Sequence, residues 1–72
     1  MNEPAYEKLI NSLIKARKKQ HISQHELDDM IGTSSGQVAK WEVGARKPRA
    51  FLLTCWADAL GGYIKFYTHE KK

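Results

Sequence analysis

Two consecutive short segments, each bounded by helix-capping residues, constrain this chain more than any other feature. In SQHELDDMIG, Ser23 is followed three residues later by Glu26, the spacing of a capping box, and Gly32 suits the left-handed conformation that ends a helix. In SSGQVAKWEVG, Ser34 and Gln37 repeat the spacing, and a glycine again closes the segment. The pattern therefore predicts two helices of roughly two turns each, joined by a tight turn.

Two amphipathic helices flank this pair. In PAYEKLINSLIKARKK, apolar residues recur at helical spacing, and lysines gather at the carboxyl end, where they suit the helix dipole. AFLLTCWADALGG follows the helix-breaking Pro48 and ends at a Gly-Gly pair. The predicted helices cover about residues 4-19, 24-31, 35-43 and 49-60. The residues expected to face a common core on the last three helices are Leu27, Met30, Ile31, Val38, Trp41, Ala50, Leu53, Trp56, Ala57 and Leu60.

The end of the chain carries more apolar surface than one core needs. The fourth helix adds Phe51, Leu52 and Cys55 to its inward set, and YIKFYTH then alternates in the manner of a β-strand. A single strand has unpaired edges, so we expect two chains to pair across a two-fold axis. The residues expected in this dimer contact are Phe51, Leu52, Cys55, Tyr63, Ile64, Phe66 and Tyr67. The alternatives are a strand that folds back on its own domain or a disordered tail.

Composition limits the classes of function. The chain of 72 residues is one small domain, too short for the deep pocket of an elaborate enzyme. Twelve Lys and Arg against eight Asp and Glu give a net charge of +4, which favours a polyanionic partner such as nucleic acid or an anionic membrane surface. One cysteine excludes an internal disulfide, and no apolar run approaches the about 18 residues of a membrane span. With no leader pattern, we expect a cytoplasmic protein that does not insert into a membrane.

No group of residues predicts catalysis or metal binding. His21 and His25 are four apart, but a capping serine lies between them, so they do not share a helical face. Asp28 and Asp29 are adjacent and point in different directions, and Cys55 has no evident base. We therefore expect no enzyme activity, no metal, no cofactor and no small-molecule substrate.

The central part of the chain, residues 9 to 61, resembles the DNA-binding helix-turn-helix domain of phage repressors and Cro proteins, the Xre family. The elements that carry the resemblance are Ser23-Gln24, Leu27, Gly32, Trp41-Glu42, Gly44 and the basic RKP that follows. The resemblance implies an all-α, compact four-helix lambda-repressor-like domain over residues 1-61, encoded by a bacterium or a phage. Residues 62-72 would then form the short C-terminal strand and tail, as in some antitoxins of this family.

The resemblance also implies roles for individual residues. In such domains the third helix enters the major groove. The base-reading positions are Ser35, Gly36, Gln37 and Lys40; the phosphate-binding positions are Gln24, Ser34, Arg46, Lys47 and Arg49. Arg17 and Glu42 match a structural ion pair. Alternatives stay open for several positions, because Ser34 and Gln37 can serve as helix caps, and Lys40 and the loop cations can be solvated surface charge. Asp28 stands where the family usually has a small residue, so its side chain must point outward or find a hydrogen-bond donor.

These roles imply a dimeric repressor that binds double-stranded DNA at a palindromic operator. One alternative is an antitoxin that binds a toxin protein as well as its operator. An alternative of a different class is a protein-interaction module without DNA binding, and a basic peptide on a membrane surface is a remote third.

Overall fold

Four α-helices form the fold in the computed structural model, which describes residues 3–65. The helices are α1 (Glu3–Lys19), α2 (Gln24–Ile31), α3 (Gln37–Val43) and α4 (Ala50–Ala59). The all-α, four-helix prediction is confirmed. Residues 63–65 adopt neither helix nor strand, and Phe66 and Tyr67 of the predicted tail strand lie outside the described residues. None of the helices within 3–65 combines the length and apolar character needed to cross a membrane.

Local capping explains why α2 begins and ends where it does. The Ser23 hydroxyl accepts a hydrogen bond from the Glu26 N–H at 2.9 Å, and the Glu26 carboxylate accepts one from the Ser23 N–H at 2.8 Å. At the other end, Gly32 has a φ of 85°, and its N–H bonds to the Asp28 carbonyl. This reciprocal capping box is the one that the sequence spacing predicts.

The core lies where α1, α2, α3 and α4 meet, and two indole rings fill its centre. Trp41 and Trp56 are almost fully buried, with ring centroids 5.6 Å apart and planes tilted by 34°. The buried apolar set is Ile10, Leu13, Leu27, Val38, Trp41, Trp56, Ala57 and Leu60. The helix α3 contributes only Val38 and Trp41 to this set, so its other residues lie outside the apolar core.

Two predicted core positions are wrong. Met30 is 51% exposed, and Ala50, the first residue of α4, is also exposed. On α2 the face that points into the core carries Leu27, Asp28 and Ile31. Successive residues of a helix are rotated by roughly 100°, which places Met30 about 110° from the centre of that face. Asp28 lies about 160° from Met30 around the helix, so the burial of Asp28 rotates the inward face of α2 away from Met30.

Candidate nucleic-acid interface

The first turn of α3 begins later than the sequence predicts. Gly36 occupies the position before the helix with a φ of 88°, and Gln37 is the first helical residue. No side-chain cap comes from this position, so the predicted capping box between Ser34 and Gln37 is wrong. Within the described residues, the Gln37 side chain makes no hydrogen bond and is only half-buried. The side chain of Gln37 is thus not occupied by the capping role that competed with base reading.

The cap of α3 comes instead from α2. One carboxylate oxygen of Asp28 accepts the Gly36 N–H at 2.8 Å, and the other accepts the Val38 N–H at 2.8 Å. Asp28 is 2% exposed, and its carboxylate is shielded from water. The two N–H groups replace water as its hydrogen-bond donors, because the N–H groups at a helix amino terminus have no partner within the helix. The sequence predicts that the Asp28 side chain either points outward or finds a hydrogen-bond donor. In the structure it points inward and binds two donors. Sequence reasoning missed that the donors are those of α3.

The predicted base-reading positions lie in the turn before α3 and in its first residues. Ser35 and Lys40 are exposed, whereas Gly36 and Gln37 are half-buried. Lys40 lies three residues after Gln37, so both side chains occupy neighbouring places on one helical face. Val38 is fully buried and marks the opposite, core-facing side. The arrangement places the hydroxyl of Ser35 in the turn before α3, and the carboxamide of Gln37 and the ammonium group of Lys40 within about one turn of the helix itself.

A basic loop continues from the carboxyl end of α3. The Lys40 carbonyl accepts the N–H groups of Ala45 at 2.9 Å and Arg46 at 3.3 Å, which folds the start of the loop back onto the helix. Arg46 and Arg49 are exposed. The Lys47 ammonium lies 5.2 Å from the centre of the Tyr6 ring on α1, a cation–π contact. Lys47 is therefore directed toward α1, although it was predicted to contact phosphate.

A hydrogen-bonded ion pair joins α1 to α3. The Arg17 guanidinium donates from Nε to Glu42 Oε2 at 2.7 Å and from Nη2 to Glu42 Oε1 at 3.0 Å. Its Nη1 donates to the Ile22 carbonyl at 2.8 Å. The two side chains are 9% and 6% exposed, so the contact is protected from water. This fork of parallel bonds fixes the carboxyl end of α3 relative to α1.

The predicted phosphate ligand Gln24 takes part in the same network. Its Nε2 donates to Glu42 Oε1 at 2.8 Å. A carboxamide nitrogen carries two N–H groups, so one remains for an external acceptor. Gln24 is half-buried at the start of α2, where helix N–H groups also favour an anion.

Other titratable groups do not form a site in the described part of the chain. No three His, Cys, Asp or Glu residues within 3–65 come together as a metal would require. Cys55 is half-buried and free on α4, in the described part of the molecule. The polar chemistry of the structure is thus concentrated around α2, α3 and the loop that follows.

Two short helices joined by a turn, with the second one exposing a polar face beside a basic loop, define a helix-turn-helix DNA-binding domain. The helix-turn-helix family HTH_3 matches residues 13–65. The chain belongs to this Xre/Cro-type family of DNA-binding transcription regulators, which are generally not enzymes, and its partner is double-stranded DNA. The resemblance seen in the sequence is thereby confirmed. No curated protein and no solved structure gives a significant match.

Proposed function

We propose that this protein is a dimeric repressor that reads a palindromic operator through the major groove. The observation that carries the proposal is the division of α3 into two faces. Val38 and Trp41 are buried in the core, whereas Ser35, Gln37 and Lys40 make no side-chain hydrogen bond among the described residues. Polar groups that are held at the start of a fixed helix, and that have no internal hydrogen-bond partner, are suited to bind base edges.

The side chains of Gln37 and Lys40 match the chemistry of the major groove. A glutamine amide can bond adenine N6 and N7 together, and a lysine can reach guanine acceptors or a phosphate. We assign Gln37 the principal base contact, with Ser35 and Lys40 beside it. Gly36 supports this geometry through its backbone, because its left-handed conformation turns the chain into the helix.

Phosphate contacts would flank the reading helix on two sides. Arg46 and Arg49 follow the carboxyl end of α3 and are exposed. Gln24 lies at the start of α2, and Ser34 lies in the turn between α2 and α3. Contacts of this kind fix the orientation of a protein on the duplex without reading sequence. We keep Lys47 in the phosphate set as a proposal, with its side chain directed toward Tyr6 in the free protein.

Exposed apolar groups near the end of the described chain support a dimer. Phe51 is 71% exposed, Tyr63 77% and Ile64 40%. Tyr63 and Ile64 line a mostly apolar groove of about 270 Å³ together with Leu9 and Leu13 of α1. Two copies joined here would carry two reading helices, and half-sites about 34 Å apart on one face of the duplex would give a palindromic operator. Occupancy of a promoter is the simplest repression mechanism for such a dimer.

Replacing Gln37 by alanine tests the base contact. We expect a loss of about 1–3 kcal/mol per bidentate contact for the cognate operator, and relaxed preference at one base-pair position of each half-site. Fluorescence anisotropy with operators substituted at each position measures both effects. Asn11→Ala removes an exposed carboxamide from α1 and should leave every affinity unchanged. A uniform loss over all operators would show that Gln37 does not read a base.

Removing residues 63–72 tests the dimer. We expect the truncated protein to have the monomer mass by light scattering, since the exposed Tyr63 and Ile64 and the predicted strand are lost together. A matched truncation of residues 70–72 removes charge beyond the predicted strand and should leave the mass unchanged. A dimer that survives the longer truncation would place the contact elsewhere.

A further inference from the structure

We infer that Asp28 is the positioning residue of the reading helix, because it organises both sides of the turn between α2 and α3. This inference rests on the proposed base-reading role of α3. The Asp28 carboxylate binds the N–H groups of Gly36 and Val38, as described above. Its backbone carbonyl accepts the N–H groups of Gly32 at 2.9 Å and Thr33 at 3.0 Å. Asp28 thus holds both the end of α2 and the beginning of α3.

The cap differs from an ordinary amino-terminal cap in its origin. The usual capping side chain belongs to the residue just before the helix, which here is Gly36 and has no side chain. Asp28 lies eight residues earlier than Gly36 and belongs to a different helix. A cap of this kind determines where α3 sits relative to α2, in addition to satisfying its free N–H groups.

Gly36 provides the conformation that this contact needs. Its φ of 88° lies in the left-handed region, and a Cβ built there would meet nothing within 4 Å. The glycine is therefore required by backbone conformation and not by crowding within the protein. In this conformation the Gly36 N–H points back to the Asp28 carboxylate at the same time as the chain enters α3.

The first turn of α3 has little else to hold it. The helix has seven residues, too few to be stable alone, and Val38 is the only residue among its first four in the buried core set. The proposed reader Gln37 lies between Gly36 and Val38, the two residues whose N–H groups Asp28 binds. A shift of this short segment would move Gln37 relative to the bases while the rest of the domain stays folded.

Asp28→Asn is the variant that tests the inference. The asparagine oxygen can keep one acceptor position, but its NH₂ group would face the other backbone N–H, donor against donor. We expect the ratio of affinities for a selected operator and a scrambled duplex to fall by at least about tenfold, the scale of one lost base contact. Affinity for the scrambled duplex should be retained. Asp29→Asn makes the same charge change at the adjacent, exposed carboxylate and should keep the ratio within about twofold.

A double-mutant cycle separates positioning from a general loss of stability. If Asp28 acts through Gln37, then Gln37→Ala should abolish the selectivity of the wild type. The same substitution made in Asp28→Asn should lower its remaining selectivity almost no further. Circular dichroism at the assay temperature establishes that each variant is folded. If Asp28→Asn is unfolded at that temperature, the same affinities are measured at a lower temperature at which circular dichroism shows it folded.

The possible outcomes separate the positioning role of Asp28 from the proposed function. Retained selectivity in the folded Asp28 variant, or losses that multiply in the double mutant, would overturn the positioning role while the proposed function stands. A wild-type protein with no preference for any duplex would overturn the proposed function, and the inference with it. Lost selectivity with non-additive losses would establish Asp28 as the residue that positions the reader.

Discussion

Glu42→Ala is expected to lower the free energy of unfolding by about 3–5 kcal/mol, the usual result of removing one partner from a buried ion pair. The Arg17 guanidinium would lose two of its three hydrogen bonds while remaining in a site where it is 9% exposed. Gln24 would lose the acceptor for its amide as well. Urea unfolding followed by tryptophan fluorescence measures the change, because both Trp41 and Trp56 lie in the core.

Glu7→Ala is the matched control for this prediction. Glu7 is an exposed carboxylate on α1, so its removal makes the same change in net charge without affecting the pair. We expect this variant to unfold within about 0.5 kcal/mol of the wild type. An unchanged unfolding midpoint in Glu42→Ala would contradict a role for the pair in joining α1 to α3.

Leu27→Ala is expected to have an effect of similar size, about 2–5 kcal/mol. Leu27 has no exposed surface and lies on α2 at the contact with the other helices, so truncation leaves a cavity in the centre of the core. At roughly 0.05–0.15 kcal/mol per residue, a domain of 72 residues has about 4–11 kcal/mol of stability, so this loss is a large fraction of the total. Urea or thermal unfolding measures the loss.

Met30→Ala provides the control on the same helix. Met30 is 51% exposed, and its truncation should change the free energy of unfolding by no more than about 0.5 kcal/mol. Equal losses for Leu27→Ala and Met30→Ala would show that α2 packs with a different face toward the core. The two variants together therefore test whether Leu27, and not Met30, faces the core.

Local signals in the sequence were sufficient wherever the stabilising contact is local. The capping box of Ser23 and Glu26 lies within four residues, and α2 has the bounds that it predicts. The start of α3 was wrong because its cap comes from Asp28, across the turn, and no spacing rule within α3 contains that residue. The apolar pattern of α2 failed at Met30 because the inward face includes the buried, polar Asp28 on the far side from Met30.

Contacts between distant residues could not be read from periodicity. Arg17 and Glu42 are 25 positions apart, and their pairing was implied only by the family resemblance. The contact of Gln24 with Glu42 was not predicted at all. These side chains meet because α1, α2 and α3 pack together, which depends on the whole core. The antitoxin role and the toxin partner stay predictions, which a toxin-like gene directly beside this one would support.

Selection of bound sequences from random duplex DNA at low salt tests the central claim most directly. If the first turn of α3 reads bases in a dimer, the selected pool should converge on an inverted repeat with half-sites about one helical turn apart. Affinity for that site should fall steeply as salt rises, because phosphate contacts release counterions. A pool that remains random, or binding that does not respond to salt, would contradict the account and favour a protein-interaction module.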